Sequence, residues 1–288
     1  MDVASRIERT LNEAVAMAEV AECPPRLAAA MRYAVFPKGA RIRPRLCHSV
    51  AAACGEDHPA ATEAAGAALE LLHCASLVHD DLPCFDAADT RRGRPSVHKA
   101  FGEPLAVLAG DALIVLAFQT LARLQCAPDR LALLTLTVAR SVGVPSGIVA
   151  GQAWECEPQI DLAHYHRAKT GALFAAAAVA GAAAAGADAE PWRMLGEKLG
   201  EAYQVADDIR DAAADEDEIG KPVGKDAALG RPSAVIAYGL DGAVQHLHQL
   251  VRDAIDAMPP CINGSELKSL MLSEARRLVP AKLAQFAA

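Results

Sequence analysis

At 288 residues, the chain is long enough for one large domain or two small ones. Its net charge of −8 argues against a nucleic-acid partner, because such a partner needs a basic face. Hydrophobic residues make up 52% of the sequence and aromatic residues only 4%, with abundant alanine and leucine, the strongest helix formers. The composition therefore predicts an all-α protein.

The hydrophobic pattern predicts helices along the whole chain. Apolar residues at helical spacing make the N-terminal segment an amphipathic helix of mixed charge, and this pattern is unlike a signal peptide. The longest apolar run, Thr170 to Ala189, is mostly alanine and glycine and indicates a tightly packed core helix. Without a repeat, a linker or a transmembrane segment, residues 1–288 are interpreted as a single cytoplasmic domain. The other predicted helices span residues 27–35, 45–54, 60–79, 105–124, 131–142 and 197–211.

The first acidic cluster consists of Asp80, Asp81 and Asp86, followed closely by Arg91 and Arg92. Burying so many acids is costly unless they pair, remain hydrated or hold a metal. Oxygen ligands in this number suit Mg²⁺, which usually bridges to phosphate, and arginine forks match phosphate oxygens. The cluster therefore predicts a magnesium–diphosphate site, with a solvated acidic turn as the alternative.

The position of this cluster on its helix also favours a cation. Pro83 interrupts regular hydrogen bonding, so Asp80 and Asp81 are predicted at the C-terminal end of a helix, where the dipole disfavours negative charge. The same proline break would allow Asp86 to return to the same metal. Asp111, in the following apolar helix, is predicted to be buried with a structural hydrogen bond.

Basic residues outside this cluster leave alternatives open. Arg41, Arg43 and Arg45 follow a Pro/Gly turn, and they form either a second anion site or a solvated basic loop. Lys169 lies beside the alanine-rich helix, where a lysine either extends its amine to solvent or binds an anion.

The second acidic cluster is placed on one helix face. Gln204, Asp207, Asp208 and Asp211 stand at i, i+3, i+4 and i+7, so an amide and three carboxylates project together. An exposed acidic face is the alternative. The Gly/Pro-rich segment that follows, residues 220–233, contains interleaved Lys and Arg and is predicted to close over phosphate.

Together, the two clusters resemble the paired aspartate-rich motifs of the trans-prenyltransferases, the short-chain isoprenyl diphosphate synthases. The similarity extends from about Lys38 to Ser233. It implies an antiparallel helical bundle around a central cavity, usually a homodimer. It also implies a Mg²⁺-dependent 1′-4 condensation, with Mn²⁺ as a substitute, in which isopentenyl diphosphate attacks the cation formed from dimethylallyl, geranyl or farnesyl diphosphate.

The resemblance assigns roles by position. The implied metal ligands are Asp80, Asp81, Asp86, Asp207, Asp208 and Asp211. The residues implied to contact the allylic diphosphate are Arg91, Lys169 and Lys221, with Thr170 and Gln204 facing the cation. The isopentenyl diphosphate site is implied to comprise Arg43, His73 and Arg92, and Arg231 stands on the closing loop. The family's usual lysine is replaced by Ala40, and Lys38 is a candidate substitute.

Product length is predicted from the same resemblance. Ala75 and Ser76 lie five and four residues before Asp80, roughly 6 to 8 Å deeper on the same helix. In this family, aromatic residues at such positions stop chain growth at fifteen carbons. Small residues therefore predict geranylgeranyl diphosphate, with twenty carbons.

Several rival functions remain at this point. They are farnesyl diphosphate synthase, a class I terpene cyclase, a metal phosphohydrolase suggested by His79 and Asp80, and a non-catalytic subunit of a heteromeric synthase. The cyclase lacks its second metal motif here, and the hydrolase lacks further histidines at ligand spacing. Both intact acidic clusters argue against the subunit.

Overall fold

The computed structural model describes residues 2–36, 39–159, 162–213 and 233–278. Helices dominate these residues, with one short two-stranded sheet. The chain divides into two compact units, one formed by Met1–Ala139 with Ala180–Asp188 and the other by Arg140–Val179 with Ala189–Ala288. The single-domain interpretation of residues 1–288 therefore stays a prediction.

The first unit is built on a long central helix, α4. Its helices, in order, are α1 (Val3–Ala16), α2 (Pro25–Val35), α3 (Ile42–Ala53), α4 (Pro59–Asp80), α5 (Val97–Phe101), α6 (Glu103–Ala122) and most of α7 (Pro128–Val142). Strands β1 (Thr90–Arg91) and β2 (Arg94–Pro95) form an antiparallel hairpin between α4 and α5. Helix α4 packs against α6, α3, α1 and α2, so it lies at the centre of this unit.

The core of the first unit explains why α4 is fixed so firmly. Leu69, Leu71 and Leu72 on α4, with Leu113 and Leu121 on α6, are almost completely buried. Each such leucine contributes roughly 1.5–3 kcal/mol through removal of apolar surface from water. Alanines occupy many of the remaining core positions and allow the helices to approach closely.

The second unit surrounds the second acidic cluster. Its helices are α8 (Ile148–Ala153), α9 (Leu162–His166), α11 (Arg193–Ala213), α12 (Ala234–Asp256) and α13 (Gly264–Leu278), and α10 (Ala172–Ala184) is divided between the units. Short 3₁₀ turns span Trp154–Cys156 and Glu190–Trp192, and Arg167–Gly171 forms a π-helical turn. Helix α12 is kinked at Gly239, where φ is 68°.

The core of the second unit lies between α11 and α12. Val205 and Ile209 from α11 pack with Val244, Leu247 and Val251 from α12 in one buried cluster. These apolar residues define the inner face of α11, leaving Asp207 and Asp211 at intermediate exposure.

The structure confirms the predicted all-α fold and most helix positions. Helix α3 begins at Ile42, three residues earlier than predicted, because Pro44 is tolerated in the first turn of a helix. Helix α6 is long and apolar enough to cross a membrane by length and composition alone, although core helices of soluble proteins meet the same criterion. The sequence prediction of no transmembrane span therefore remains a prediction.

Candidate functional site

The end of α4 brings the first acidic cluster together. Asp80 is the last helical residue and Asp81 is the C-cap, whose N–H donates to the Leu77 carbonyl at 3.1 Å. After the turn at Pro83, the Asp86 N–H donates to the Asp80 carbonyl at 3.0 Å. The chain thus returns onto the helix end, and Asp86 lies beside the two preceding carboxylates, as the proline break predicts.

Arg91 is the direct partner of the buried carboxylate in this cluster. Its guanidinium forms a short ion pair with Asp81, with Nε donating to the two carboxylate oxygens at 3.0 and 3.2 Å, and lies 3.9 Å from Asp80. Burial raises the pKa of Asp81, and the charge of Asp86 raises it further, against the lowering effect of Arg91. The pKa of Asp81 is therefore raised mainly because the carboxyl group is removed from water, and Arg91 opposes this effect.

A tight hairpin presents the two arginines. Thr90 pairs with Pro95 and Arg91 with Arg94, leaving a two-residue loop in which Arg92 and Gly93 have φ values of 54° and 72°. Two positive φ angles define a type I′ turn, which matches the twist of the strands. Glycine accepts this conformation readily, whereas an arginine does so at a cost. The backbone thus places Arg92 at the exposed tip of the hairpin.

Aromatic and cationic side chains attach this hairpin to α2. The Arg94 guanidinium lies 3.7 Å from the centre of the Tyr33 ring and donates to the Phe36 carbonyl at 3.3 Å. The Tyr33 hydroxyl donates to the Pro95 carbonyl at 2.8 Å. These contacts attach strand β2 to the end of α2, and β1 is held through its pairing with β2.

His73 is surrounded by cations. Burial lowers its pKa well below the ordinary value, and the charges of Arg43, Arg92, Arg91 and Arg41 lower it further. The imidazole is therefore neutral at physiological pH. This arrangement places the residues assigned to isopentenyl diphosphate in one electropositive region.

Gly39 supports Arg92 from below. A Cβ built on Gly39 would lie only 2.9 Å from the Arg92 guanidinium, so the arginine occupies the space that a side chain would need. Lys38, the candidate substitute for the missing family lysine, lies outside the described residues. Ala40, which stands at that lysine's position, is exposed.

Two residues differ from their sequence predictions. Arg41 is neither an anion ligand nor a solvated loop residue, because it is 5% exposed and bound to Glu8 at 2.9 Å and Glu70 at 2.8 Å. The sequence did not reveal that Glu70 would be buried beside it. Asp111 is exposed rather than buried, since it lies on the outer face of α6.

The residues predicted to set product length lie on α4 as expected. Ala75 is 1% exposed, and Ser76 donates its hydroxyl to the His73 carbonyl at 2.9 Å. Both precede Asp80 by about one helical turn, which is roughly 5.4 Å. A larger side chain at either position would extend from the helix well below the carboxylates.

The second acidic cluster is organised by a hydrogen-bond chain in the second unit. Thr170 donates to the Gln204 side-chain oxygen at 2.9 Å, and the Gln204 amide donates to Asp208 at 3.0 Å. The other Asp208 oxygen accepts the Ala234 N–H at 2.7 Å, at the start of α12. The threonine and glutamine assigned to face the cation are therefore in direct contact.

The remaining acids of this cluster are more accessible. Asp207 accepts from Arg210 at 3.1 Å, three residues further along the helix. Asp211 lies one turn beyond Asp207 on the same face. Lys221 and Arg231, the predicted residues of the closing loop, lie outside the described residues.

Lys169 has a carboxylate partner that the sequence prediction missed. Its amine donates to Glu155 at 2.6 Å, and the same carboxylate accepts from Tyr165 at 2.7 Å and Gln152 at 2.8 Å. The only signal in the sequence for this ion pair is weak: two polar residues, Gln152 and Glu155, follow a Pro/Gly-rich break. Of the two alternatives for Lys169, the structure shows the amine bound to an anionic group, the Glu155 carboxylate, and not extended to solvent.

Close backbone packing positions Lys169 and Thr170. Both lie in the π-helical turn Arg167–Gly171, a conformation often found at functional sites. A Cβ built on Gly200 would lie 2.8 Å from the Gly171 Cα, so α11 and this turn meet through two glycines. A cleft of about 570 Å³ in the second unit is lined in part by Gly171, Gln204 and Asp208.

The donor set fits Mg²⁺. Within the described part of the chain, the side chains form no preformed cage of three or more His, Cys, Asp or Glu ligands. Mg²⁺ is usually bound by one or two carboxylates together with water and substrate phosphates, so such a cage is not required. Asp80, Asp81 and Asp86 provide hard oxygen ligands at the end of one helix, the ligand type that Mg²⁺ prefers.

Comparison with known proteins identifies the class. Residues 24–263 match the family described as polyprenyl synthetase. The chain belongs to this family.

Particular relatives agree with this assignment. The chain is 53% identical to a geranylgeranyl diphosphate synthase of Cereibacter sphaeroides and 51% identical to one of Rhodobacter capsulatus, each over 97% of both chains. The crystal structure of a geranylgeranyl pyrophosphate synthetase from Pyrococcus horikoshii aligns with a TM-score of 0.81 at 27% identity, covering 96% of this chain and 97% of that one. These similarities confirm the isoprenoid synthase fold expected from the sequence.

Proposed function

We propose that this protein is a Mg²⁺-dependent geranylgeranyl diphosphate synthase. It condenses isopentenyl diphosphate with an allylic diphosphate: the allylic C–O bond breaks, a new C–C bond forms, and a proton and inorganic diphosphate are released. The observation that carries this proposal is the return of Asp86 onto Asp80 and Asp81 beside Arg91 at the end of α4. This geometry supplies carboxylates for metal and a guanidinium for phosphate in the same place.

The first acidic cluster binds the leaving group. Mg²⁺ held by its carboxylates would stabilise the charge that develops on the departing diphosphate. Asp81 is almost fully buried with Arg91 as its partner. A cation bound to Asp81 would neutralise the carboxylate in place of Arg91, and Arg91 would then be able to donate to a diphosphate oxygen.

The second unit provides the groups proposed to face the allylic carbon. Thr170 donates to the Gln204 side-chain oxygen, and each of these two oxygens keeps a lone pair that would stabilise a positive charge on a bound substrate. Lys169 is assigned to the allylic diphosphate and would exchange its Glu155 partner for phosphate. Asp207, Asp208 and Asp211 supply further oxygen ligands for Mg²⁺ on this helix.

The arginines around His73 are proposed to bind isopentenyl diphosphate. Arg43 and Arg92 place fixed positive charge near an imidazole that is kept neutral. A neutral imidazole adds a hydrogen-bonding group without adding to the repulsion among the cations. A diphosphate anion would offset that repulsion, so this region is better suited to an anion than to an apolar group.

The product is proposed to have twenty carbons. Ala75 and Ser76 are small, and both relatives compared above are geranylgeranyl diphosphate synthases. Farnesyl diphosphate synthase is the alternative within the family. A non-catalytic subunit is disfavoured because both carboxylate clusters are intact.

The protein is further proposed to be a cytoplasmic homodimer. Helix α6 exposes Val107, Leu108 and Val115 at 42%, 51% and 56%, giving an apolar outer face on a helix whose inner face packs on α4. A second copy of this chain would remove that face from water.

Purified protein incubated with Mg²⁺, isopentenyl diphosphate and farnesyl diphosphate tests the activity directly. Chromatography of the dephosphorylated products is expected to give geranylgeraniol. Growth that ends at farnesol with a geranyl diphosphate primer would identify the fifteen-carbon alternative. Absence of any condensation, restored by another subunit, would support the non-catalytic assignment.

The product-length assignment predicts the effect of a single substitution. In Ala75→Tyr, the new ring would extend from a buried position on α4 about one turn below Asp80 and block further growth. We expect the main product to change from twenty to fifteen carbons, measured by the same chromatography. An active variant that still makes the twenty-carbon product would show that Ala75 does not limit growth. Ser76→Ala, which adds no bulk one residue away, serves as the control.

A further inference from the structure

His79 precedes the first acidic cluster, and its ring occupies a site created by a glycine of α6. The imidazole Nε2 lies 3.2 Å from the Val107 carbonyl, and because a carbonyl only accepts, Nε2 carries the proton and donates. A Cβ built on Gly110 would overlap the ring, lying 2.5 Å from Cδ2 and 2.7 Å from Cε1. The ring therefore fills the space that a side chain at position 110 would need.

The same residue also shapes the turn that carries the carboxylates. The His79 carbonyl accepts the Leu82 N–H at 3.1 Å, immediately after Asp81. The next carbonyl, that of Asp80, accepts the Asp86 N–H. A rotation of the helix end at His79 would thus move all three acids relative to one another.

The outer side of this contact lies on the exposed face of α6. Asp111, with 60% of its side chain exposed, lies 3.8 Å from the His79 Nε2. Val107, which contributes the carbonyl, exposes its side chain on the same face. One turn of α6 therefore contacts the acidic cluster through His79 on one side and is open to a partner on the other.

We propose that His79 is a positioning residue that locks the end of α4 against Gly110 and Val107 of α6, and thereby sets the metal affinity of the first acidic cluster. This inference rests on the proposed function, because it assigns Mg²⁺ to Asp80, Asp81 and Asp86. Residues that orient metal ligands without touching the metal typically change affinity by about 10- to 100-fold when altered.

The test compares substitutions on both sides of the contact. Gly110→Ala forces the ring out of its site, His79→Ala removes the ring, and His79→Gln keeps an N–H that reaches toward the Val107 carbonyl. Asp111→Asn is the matched control, since it alters the neighbouring charge and leaves the packing intact. Mn²⁺ binding in the presence of inorganic diphosphate is followed by electron paramagnetic resonance, which requires no turnover.

Gly110→Ala and His79→Ala are each expected to weaken Mn²⁺ binding about 10-fold or more. The Mg²⁺ concentration needed for half-maximal activity should rise by the same factor. The KM for isopentenyl diphosphate should change less than about twofold, which a general loss of structure would not allow. His79→Gln should retain most of the affinity. The double variant should resemble His79→Ala, because the added methyl group meets no ring.

Unchanged Mn²⁺ binding in Gly110→Ala or His79→Ala would overturn the proposal. So would fully additive effects in the double variant, since the two changes act through one contact. If the wild-type protein binds Mn²⁺ and makes no prenyl diphosphate, the proposed function is wrong. In that case the binding comparison still decides the role of His79.

Discussion

Asp81 and Asp208 are the most buried carboxylates of the two acidic clusters, at 2% and 5% exposed, and their charges are compensated differently. Asp81 is paired with the full charge of Arg91, whereas Asp208 accepts hydrogen bonds from the Gln204 amide and the Ala234 N–H. A metal bound as proposed would therefore compete with the Arg91 guanidinium at Asp81, and with hydrogen bonds from an amide and a backbone N–H at Asp208.

The two carboxylates also contact different segments of the structure. Arg91 belongs to strand β1 of the hairpin that contacts α2, so Asp81 would connect metal binding to the arginine proposed to bind phosphate. Asp208 bonds to the first residue of α12, directly after the basic segment 220–233. A metal bound at the second cluster would therefore act directly on the hydrogen bond between Asp208 and the backbone at the start of α12.

The largest expected effects come from neutralising each carboxylate. Asp81→Asn and Asp208→Asn should each lower kcat about 10³-fold, since several kcal/mol of stabilisation for the departing diphosphate are lost. Asp208→Asn should also lower the free energy of unfolding by about 1 kcal/mol, because the Ala234 N–H loses a charged acceptor. Steady-state kinetics and urea unfolding measure the two quantities.

The control for both substitutions is Asp129→Asn, an exposed position in the first turn of α7. It should leave kcat unchanged within about twofold. If Asp208→Asn remains as active as this control, Asp208 has no role in catalysis.

Intermediate effects are expected at two glycines that support the two clusters differently. A methyl group at Gly39 meets the end of a movable side chain, the Arg92 guanidinium, whereas one at Gly200 meets the Gly171 backbone. Gly39→Ala should therefore raise the KM for isopentenyl diphosphate about 10-fold with little loss of stability. Gly200→Ala should instead destabilise the fold by about 1–3 kcal/mol.

Kinetics and thermal unfolding on the same preparations separate these outcomes. Gly93→Ala is not a suitable control, because φ at that position is positive. Ala40→Gly, at the exposed position next to Gly39, tests whether any substitution beside Gly39 alters the KM for isopentenyl diphosphate. A fall in stability for Gly39→Ala equal to that of Gly200→Ala would show that Arg92 is not free to move.

The smallest effect concerns the pH dependence of the first unit. Burial lowers the pKa of His48 from 6.5 to about 4, so the folded state holds this imidazole neutral while the unfolded state protonates it. Stability is therefore complete above about pH 6.5 and is lost as the pH falls toward 4. At pH 5, this one group removes about 2 kcal/mol.

His48→Leu should abolish that contribution. The variant is expected to match the wild type at pH 7.5 within about 1 kcal/mol and to be more stable by about 2 kcal/mol at pH 5. Chemical unfolding at both pH values measures the difference. Equal acid sensitivity in variant and wild type would assign the effect to other groups, such as His73, whose pKa is lowered in the same direction.

Local rules predicted the positions of the acids well. Helical spacing placed Gln204, Asp207, Asp208 and Asp211 on one face of α11, and Pro83 ended α4 at the first cluster. The return of Asp86 was also foreseeable, because a proline turn permits it. Each of these depends on residues a few positions apart.

Long-range partners were beyond those rules. Glu70 lies within the predicted helix over residues 60–79, and nothing nearby in the sequence indicates its partner. Its ion pair with Arg41, 29 residues away, depends on how α3 packs against α4. Asp111 was placed inside because its helix is apolar all round, and composition does not tell which face packs on α4. Glu155 is another such case, since its contact with Lys169 arises from the packing of α8 on the π-helical turn.

The left-handed turn at Arg92 sets a limit on how this protein can be altered. Residues that suit a φ of 54°, such as glycine and asparagine, have no positive charge, and lysine keeps the charge but retains the backbone cost. Stability and the anion binding proposed for Arg92 therefore favour different amino acids at this position. Engineering for heat resistance would select against Arg92, and the proposed role in substrate binding would select for it.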